Sequence, residues 1–402
     1  MQYFSVMADE PRSPAQLRWL GAAQLLATVR AAPGITRAAA ANRLGISSGS
    51  ATDLVARLRQ ARLLDEAPAP AQGRGRPTTL LRPHPGGPLV LAADVRATGW
   101  RLALAALDGI PRIVAEGVYD DAGLDTALGE LADAIGSAYR RKSKQVSALA
   151  VSVAGTVSDG KLVQFTPHRR RDVDLSVLTS KLPRRAAIPV LLCNDATLAG
   201  LAEARSGAAE VAGTSLHLIV ATGIGGTLVV NGEPISGTHG AAGEYGHIPF
   251  GDPALTCLCG ARGCWDLSVD GRALARHRGD TEPQDPVEYV HRILSGDRDA
   301  ATQRALAEVA TSLGRGIGGL VNLHDPEVVT LGGVGAPLRA AAAHAFDTAY
   351  RDGLMNFRRD SPPPVLDAEH GEEGPLHGAV AMALDDVTSP AGLANWVARQ
   401  NF

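Results

Sequence analysis

Lysine is nearly absent from this 402-residue sequence, with 4 residues against 35 arginines. So broad an imbalance is taken as genomic composition, and the preference for arginine carries no functional weight. No apolar run approaches the ~20 residues that span a bilayer. The opening residues, MQYFSVMADEPRSPAQ, lack the cationic start and apolar stretch of a secretory signal. The expected location is the cytoplasm, with no membrane partner. Cysteines number only four, and Cys257, Cys259 and Cys264 fall within eight residues while Cys193 stands apart. That usage suits a metal site in a reducing compartment better than a disulfide framework.

A net charge of −3 argues against a nucleic-acid binder until its distribution is considered. Residues 1–85 hold 11 Arg, no Lys and five acids (Asp9, Glu10, Asp53, Asp65, Glu66), so the head is basic and the remainder acidic. The head reads as three helices. The first covers about Ala15–Ala31 and is broken by Pro33-Gly34. A short Ala-rich helix runs from Thr36 to Gly45, and a third, capped by Ser47, runs to about Ala61 with Ala51, Leu54, Val55 and Leu58 inward. Residues 66–85 are rich in Pro and Gly and read as a β-wing, with Thr79-Leu80-Leu81 as a short strand, followed by a linker. Helix, glycine turn, helix and basic wing is helix-turn-helix logic, in which the third helix enters the major groove of double-stranded DNA. Ser48, Gly49, Ser50 and Thr52 are its outward candidates, with Asp53 unfavourable for a DNA contact. Arg37, Arg43, Arg57 and Arg59 are candidates for phosphates, and Arg74 and Arg76 at the wing tip for the minor groove. A charged helical protein-interaction module is the alternative for the same pattern.

Beyond residue 85 the pattern is α/β. Strands are expected in LVLAADV, WRLALAAL and RIVAEGVY, then a helix over about Leu124–Arg141, then strands ALAVSVAG and IPVLLCN. A second round starts at SLHLIVATG and TLVVNG. It continues with a helix near Leu306–Leu323, strand EVVTLGG, a helix across 337–353 and a closing helix from about Leu376 to Asp386. Two α/β lobes are expected. The division expected is 1–85 for the winged helix-turn-helix domain and 86–402 for the rest. The tail SPAGLANWVARQNF carries an apolar stripe (Leu393, Trp396, Val397) suited to packing on the body or on a partner subunit, and the sequence does not choose between them.

His247, Cys257, Cys259 and Cys264 form a His-x9-Cys-x-Cys-x4-Cys set. Three thiolates and an imidazole match a closed tetrahedral Zn2+ site, structural because no position stays open. Gly260 and Gly263 let the loop turn tightly. Asn194 and Asp195 end an apolar strand, where ligands of α/β folds gather, and Asp195 is equally placed to cap the helix that follows.

The stretch TGIGGTLVVNGEPISGTHGAAGEYGHI followed by CLCGARGCWD resembles the signature of the ROK family (repressors, open reading frames and sugar kinases). The likeness extends over most of residues 88–390, and TRAAAANRLGISSGSATDLVARL resembles the winged helix of the family's regulators. The resemblance implies a two-lobed actin-like sugar-kinase fold and a homodimer or homotetramer on a two-fold symmetric operator. It also implies a small carbohydrate effector, with Asn194, Asp195, Glu244, His247, Asp266 and Gly155 as sugar contacts, although Asp266 stands where the family has Glu. Asp195 would be the base of a kinase, vestigial here. The family's first phosphate turn, Asp-x-Gly-Gly-Thr, is Asp94-Val95-Arg96-Ala97-Thr98 in this chain, so both glycines are missing. The loops with Gly223, Gly225 and Gly226 and with Gly332 and Gly333 are kept. The expected function is a carbohydrate-responsive transcriptional regulator, a repressor, without kinase activity. The alternatives are an ATP-dependent sugar kinase with an appended DNA-binding domain, and a regulator whose pocket is vestigial and whose signal comes from a partner protein.

Overall fold

The computed structural model describes residues 19–69, 79–119, 123–159, 161–165, 170–183, 186 and 188–400. Residues 15–18 of the expected first helix, and Arg74 and Arg76 of the expected wing tip, lie outside them. Two compact units make up the chain, one of Met1–Val153, Asp174–Cys193 and Ala379–Phe402, the other of Ala154–Val173 and Asn194–Gly378.

The first unit begins with the head. Helix α1 (Leu20–Ala31) buries Ala22, Leu25, Leu26 and Val29. The Thr36 side chain accepts the Ala39 N–H at the start of α2 (Arg37–Leu44), and Gly45, at φ 63°, ends it in the left-handed conformation that glycine adopts without cost. Ser47 accepts the Ser50 N–H at the start of α3 (Ser48–Gln60), which turns Ala51, Val55 and Leu58 inward. Each such cap contributes about 1 kcal/mol. Strand β1 (Leu64–Pro68) pairs antiparallel with β2 (Thr79–Pro83), Leu64 opposite Pro83. The region expected to be wing and linker thus starts with a regular strand. Pro68 is tolerated because it closes the strand at the end of a two-stranded ribbon.

The remainder of this unit is a five-stranded sheet. β3 (Leu89–Val95), β4 (Gly99–Ala105) and β5 (Arg112–Val118) form an antiparallel meander, and after α4 (Gly123–Lys142) strand β6 (Val146–Val153) pairs parallel with β3. Helix α4 packs Leu124, Leu128, Leu131 and Ile135 inward, with Tyr139 half-buried.

The second unit holds a three-stranded sheet of β7 (Gly155–Ser158), β8 (Lys161–Phe165) and β9 (Arg170–Val173), which sequence reading missed because each strand is only four or five residues long. Strand β10 (Val190–Asn194), the fifth strand of the first unit's sheet and the neighbour of β6, leads into helix α5 (Asp195–Ser206) of the second unit. The larger sheet, in order β13-β12-β11-β14-β15, is built from β11 (Thr214–Val220), β12 (Ile224–Val230), β13 (Glu233–Pro234), β14 (Val328–Gly333) and β15 (Val365–Asp367). Helices α6 (Gly271–Arg278), α7 (Pro286–Ser295) and α8 (Ala300–His324) come before β14. The single helix expected across 337–353 is two, α9 (Gly335–Ala341) and α10 (Ala343–Gly353), because Ala342 leaves helical geometry at φ −140°, ψ 48°. A short α11 (Asn356–Arg359) follows. Leu306, Val309, Leu313, Ile317 and Leu320 of α8 form the centre of a core with Leu331, Phe346 and Trp265.

The chain closes with α12 (Gly374–Thr388) and α13 (Pro390–Gln400). The tail is therefore a helix in the first unit, with Leu393 and Trp396 fully buried and Val397 half-buried.

One buried group makes stability depend on pH. His217, on β11, is enclosed, and its Nδ1 lies 2.9 Å from Thr330 Oγ1. Burial pushes its pKa down to about 4, with the Glu203 carboxylate opposing. A depressed histidine stabilises fully above its unfolded pKa near 6.5, and that contribution disappears as pH falls toward 4. The expected loss across that window is about 3 kcal/mol. Urea unfolding at pH 7 and pH 4.5 checks it, and His217→Gln should flatten the difference.

Candidate functional site

The cysteine loop is fixed by its own backbone. Gly260 and Gly263 have φ of 97° and 69°, conformations a side chain would oppose. Gly260 donates to Cys257 O, Cys257 to Ala261 O and Gly251 to Gly263 O. Next to Cys264, the wholly buried Trp265 donates from Nε1 to Ser312 O on α8 and meets Gly316, where a β-carbon would stand 2.1 Å from the ring. Trp265 was not among the expected site residues. The signal was present, since an aromatic adjoining a metal cysteine is a natural anchor.

His247, Cys257, Cys259 and Cys264 converge, with their ligand atoms all within 4.8 Å of one another. Cys259 Sγ lies 3.6 Å from Cys264 Sγ, and Cys257 Sγ lies 3.8 Å from His247 Nδ1. A tetrahedral ion with bonds of about 2.0–2.3 Å separates its ligand atoms by roughly 3.3–3.8 Å, so the donor set fits such an ion. Without a cation, burial pushes the Cys264 thiol up to about 12 and raises Cys257. The cluster can hold a metal.

The expected sugar contacts all belong to the second unit. Asn194 accepts the Thr197 N–H at 3.1 Å, capping α5, and donates from Nδ2 to Gly155 O at 2.9 Å. The expectation left open whether Asp195 caps the helix, but the cap is Asn194. Asp195 Oδ1 accepts the N–H of its neighbour Ala196 at 2.8 Å. Gly155 is a strand residue. It lies in β7, where a β-carbon would stand 2.2 Å from Gln164 O. Its carbonyl orients Asn194.

Glu244, His247 and Asp266 also come together. His247 Nε2 lies 3.8 Å from Glu244 Oε2, and its Nδ1 lies 3.6 Å from Asp266 Oδ2. Asp266 is buried, and its Oδ1 accepts the Ile224 N–H at 2.6 Å. Burial raises its pKa, against the pull of His247. Its carboxylate thus braces the glycine loop at 222–226. Arg272 holds the same loop from the other end, donating to Thr222 O at 2.9 Å while paired with Asp270 at 2.5 Å.

The retained glycines have packing reasons of their own. A β-carbon at Gly225 would stand 2.7 Å from Ala196 Cβ, and one at Gly226 2.6 Å from Leu218. Gly333 has φ 61° and approaches Val220 O, while Gly332 faces His217. Their survival needs no nucleotide. In the first unit, Asp94 and Val95 end β3 and Arg96-Ala97-Thr98 make the tight turn into β4, with Arg96 N–H bonded to Gly99 O and the Arg96 guanidinium 2.5 Å from the buried Asp94 carboxylate. Arg96 therefore occupies the carboxylate of this turn, a partner the sequence reading did not assign.

On the head, Ser48, Gly49, Ser50, Thr52 and Asp53 are exposed, as expected for a groove-facing surface. Ser50 Oγ shares a hydrogen bond with Ser47 Oγ, and Thr52 donates to Ser48 O. Arg37 and Arg59 each pair with Glu66 on β1 at 3.3 Å, which competes with phosphate contact. Arg57 is half-buried and Arg43 exposed. Arg43→Ala is expected to lower the slope of log affinity for duplex DNA against log salt by about 1, and Arg37→Ala by less. Anisotropy titrations between 50 and 200 mM salt measure both slopes.

A ROK family model matches residues 120–386, about two thirds of the chain, and a MarR family model matches residues 16–75. The glucokinase of Streptomyces coelicolor is 26% identical over 301 residues, spanning 68% of this chain and 94% of its own. The xylose repressor of Bacillus subtilis is 29% identical over 188 residues, 46% of this chain and 47% of its own. The crystal structure of a ROK family transcriptional regulator, a homologue of the E. coli MLC protein, superposes with a TM-score of 0.74 at 20% identity, covering 94% of this chain and 100% of that one.

Proposed function

The chain belongs to the ROK family and carries a MarR-type winged-helix domain at its N-terminus, and from that premise we propose that it is a sugar-responsive transcriptional repressor that does not phosphorylate its sugar. The division is placed near residue 85. The observation that carries the reading is the pairing of a capped winged-helix head with a kinase-like body whose first phosphate turn is filled by the Arg96–Asp94 ion pair. Phosphoryl transfer depends on backbone N–H groups and cations placed around phosphate. Side chains at Arg96 and Ala97 replace that cradle, while Asn194, Asp195, Glu244 and His247 remain for sugar hydroxyls.

The metal is Zn2+, held by His247, Cys257, Cys259 and Cys264, and its role is structural. When bound it supplies a fixed charge that orders the loop. His247 then faces Glu244 with its second ring nitrogen, so the metal cluster orients a sugar-binding edge. The partners are a double-stranded operator and a small carbohydrate, and the protein acts as a homodimer or homotetramer in the cytoplasm. That no helix among the described residues is long and apolar enough to cross a membrane is compatible with this location.

A thermal-shift screen of zinc-loaded protein with free sugars, sugar phosphates and Mg-ATP tests the reading. A ligand at a hundredfold its dissociation constant adds about 2.7 kcal/mol. A shift with one sugar and none with Mg-ATP is expected. Sugar-dependent ADP release, lost in Asp195→Ala, would instead establish a kinase.

A further inference from the structure

We infer that the outer face of α8, with the segment that follows α10, is a contact surface for a second copy of this chain; this deepens the oligomer reading above and rests on it. The whole surface lies within the second unit. Helix α8 buries Leu313, Ile317, Leu320 and Val321 and turns Arg315, Gly319 and Leu323 outward. Their four-residue spacing sets them in one row. Gly319 leaves bare backbone in that row, and the Phe250 ring covers it, where a β-carbon would stand 3.0 Å from the ring. The buried Trp265 stands behind Phe250, with ring centres 6.3 Å apart. Phe250 is thereby held at the surface, half exposed. One turn further on, Asn322 fastens the segment that follows α10. Its Nδ2 donates to Gly353 O at 2.8 Å, and its Oδ1 accepts the Met355 N–H at 3.2 Å. Arg358 lies over the Phe357 ring at 5.0 Å and reaches Asp325 at 2.5 Å. Met355 and Phe357 are therefore fixed beside Leu323.

Leu323 and Phe357 are 69% and 71% exposed, so this is a patch of large apolar side chains held open to water by hydrogen-bonded backbone. Contiguous patches of that kind mark contact surfaces. Because the backbone is already ordered, little further ordering opposes association. The charges beside the patch select the occupant. Arg315 and Arg359 stand with Asp325 and Asp360, all exposed. A surface of mixed sign gives no steady attraction to a phosphate backbone or to an acidic peptide. It does match itself. Arg315 and Asp325 are about 15 Å apart along α8, on either side of Gly319 and Leu320. A two-fold axis crossing α8 at that point sets Arg315 of each copy against Asp325 of the other. The two Phe250 rings then meet near the axis, flanked by Leu323, Met355 and Phe357 of both copies. An apolar centre inside a rim of paired charges is the anatomy of an isologous interface.

The test weighs full-length, zinc-loaded protein by light scattering and sedimentation, without DNA and across a range of concentrations. Leu323→Asp and Phe357→Asp are each expected to weaken association by roughly 30-fold or more, taking a dimer to monomer or a tetramer to dimer. Zinc content and the urea midpoint should stay at their wild-type values, because both side chains are exposed. Arg315→Asp sets two carboxylates together in the pair, and Asp325→Arg sets two guanidiniums together, so each variant alone should dissociate. Mixed in equal amounts, the two variants should associate again, because each reversed charge then faces its opposite. A change confined to one chain does not produce that rescue. A wild-type oligomer that Leu323→Asp and Phe357→Asp leave intact would overturn the proposal and leave the oligomer reading standing. So would charge variants that stay apart when mixed. A monomeric wild type would overturn both, and would give the patch to a different protein.

Discussion

Cys264→Ser is expected to empty the metal cluster, taking zinc from about one ion per chain to background by elemental analysis. A serine hydroxyl does not replace a thiolate at neutral pH, and the three remaining donors are too few for a closed site. Metal binding in such sites is folding free energy, about 10–16 kcal/mol in isolated zinc-finger peptides. The cost should be smaller in this protein, because Trp265 anchors one end of the loop to α8 and Asp266 anchors the Ile224 amide. A fall of about 10 °C in the unfolding midpoint is expected. His247 loses its fixed orientation at the same time, so sugar binding should fall with it. Cys193→Ser, outside the cluster, should retain full zinc. A Cys264→Ser protein with undiminished zinc would refute the assigned ligand set.

Asp195→Asn is expected to weaken sugar binding by roughly 30-fold, the scale of losing charge-assisted hydrogen bonds from a half-buried carboxylate. The side chain keeps its size. Asn194, not Asp195, caps α5, so the helix keeps its start. The helix loses one negative charge from its first turn, worth about 0.3–1 kcal/mol. Asn194→Ala differs in kind. It removes the cap and the bond to Gly155 O, and should cost stability as well as binding. Calorimetry with D-glucose and D-xylose as probes, beside urea unfolding, separates the two. Equal sugar affinity in wild type and Asp195→Asn would remove this carboxylate from the site.

Much of this arrangement was legible in the sequence because it rests on local rules. Thr36, Gly45 and Ser47 announce the head helices by capping chemistry, and the spacing of His247 with three cysteines announces the metal cluster. The fold of the body was visible in its apolar strands. What escaped was set by tertiary contact. Nothing local says that Ala342 breaks a helix, or that four-residue strands pair into the small sheet. Gly155 looks like a turn glycine until β8 lies against it. The pairing of Arg37 and Arg59 with Glu66 depends on where β1 lies against the head helices, a tertiary contact. Trp396 belonged to an apolar stripe whose partner the sequence did not choose, because that partner is the carbonyl of Ala61, more than 300 residues earlier.

The most direct test of the central claim is binding of full-length, zinc-loaded protein to a duplex selected from genomic DNA, with a panel of free sugars and sugar phosphates and with Mg-ATP. One carbohydrate should release the duplex at ~150 mM salt, without ATP and without forming ADP. A duplex affinity no better than for random DNA, together with sugar-dependent ADP release, would contradict the account and make the protein a kinase.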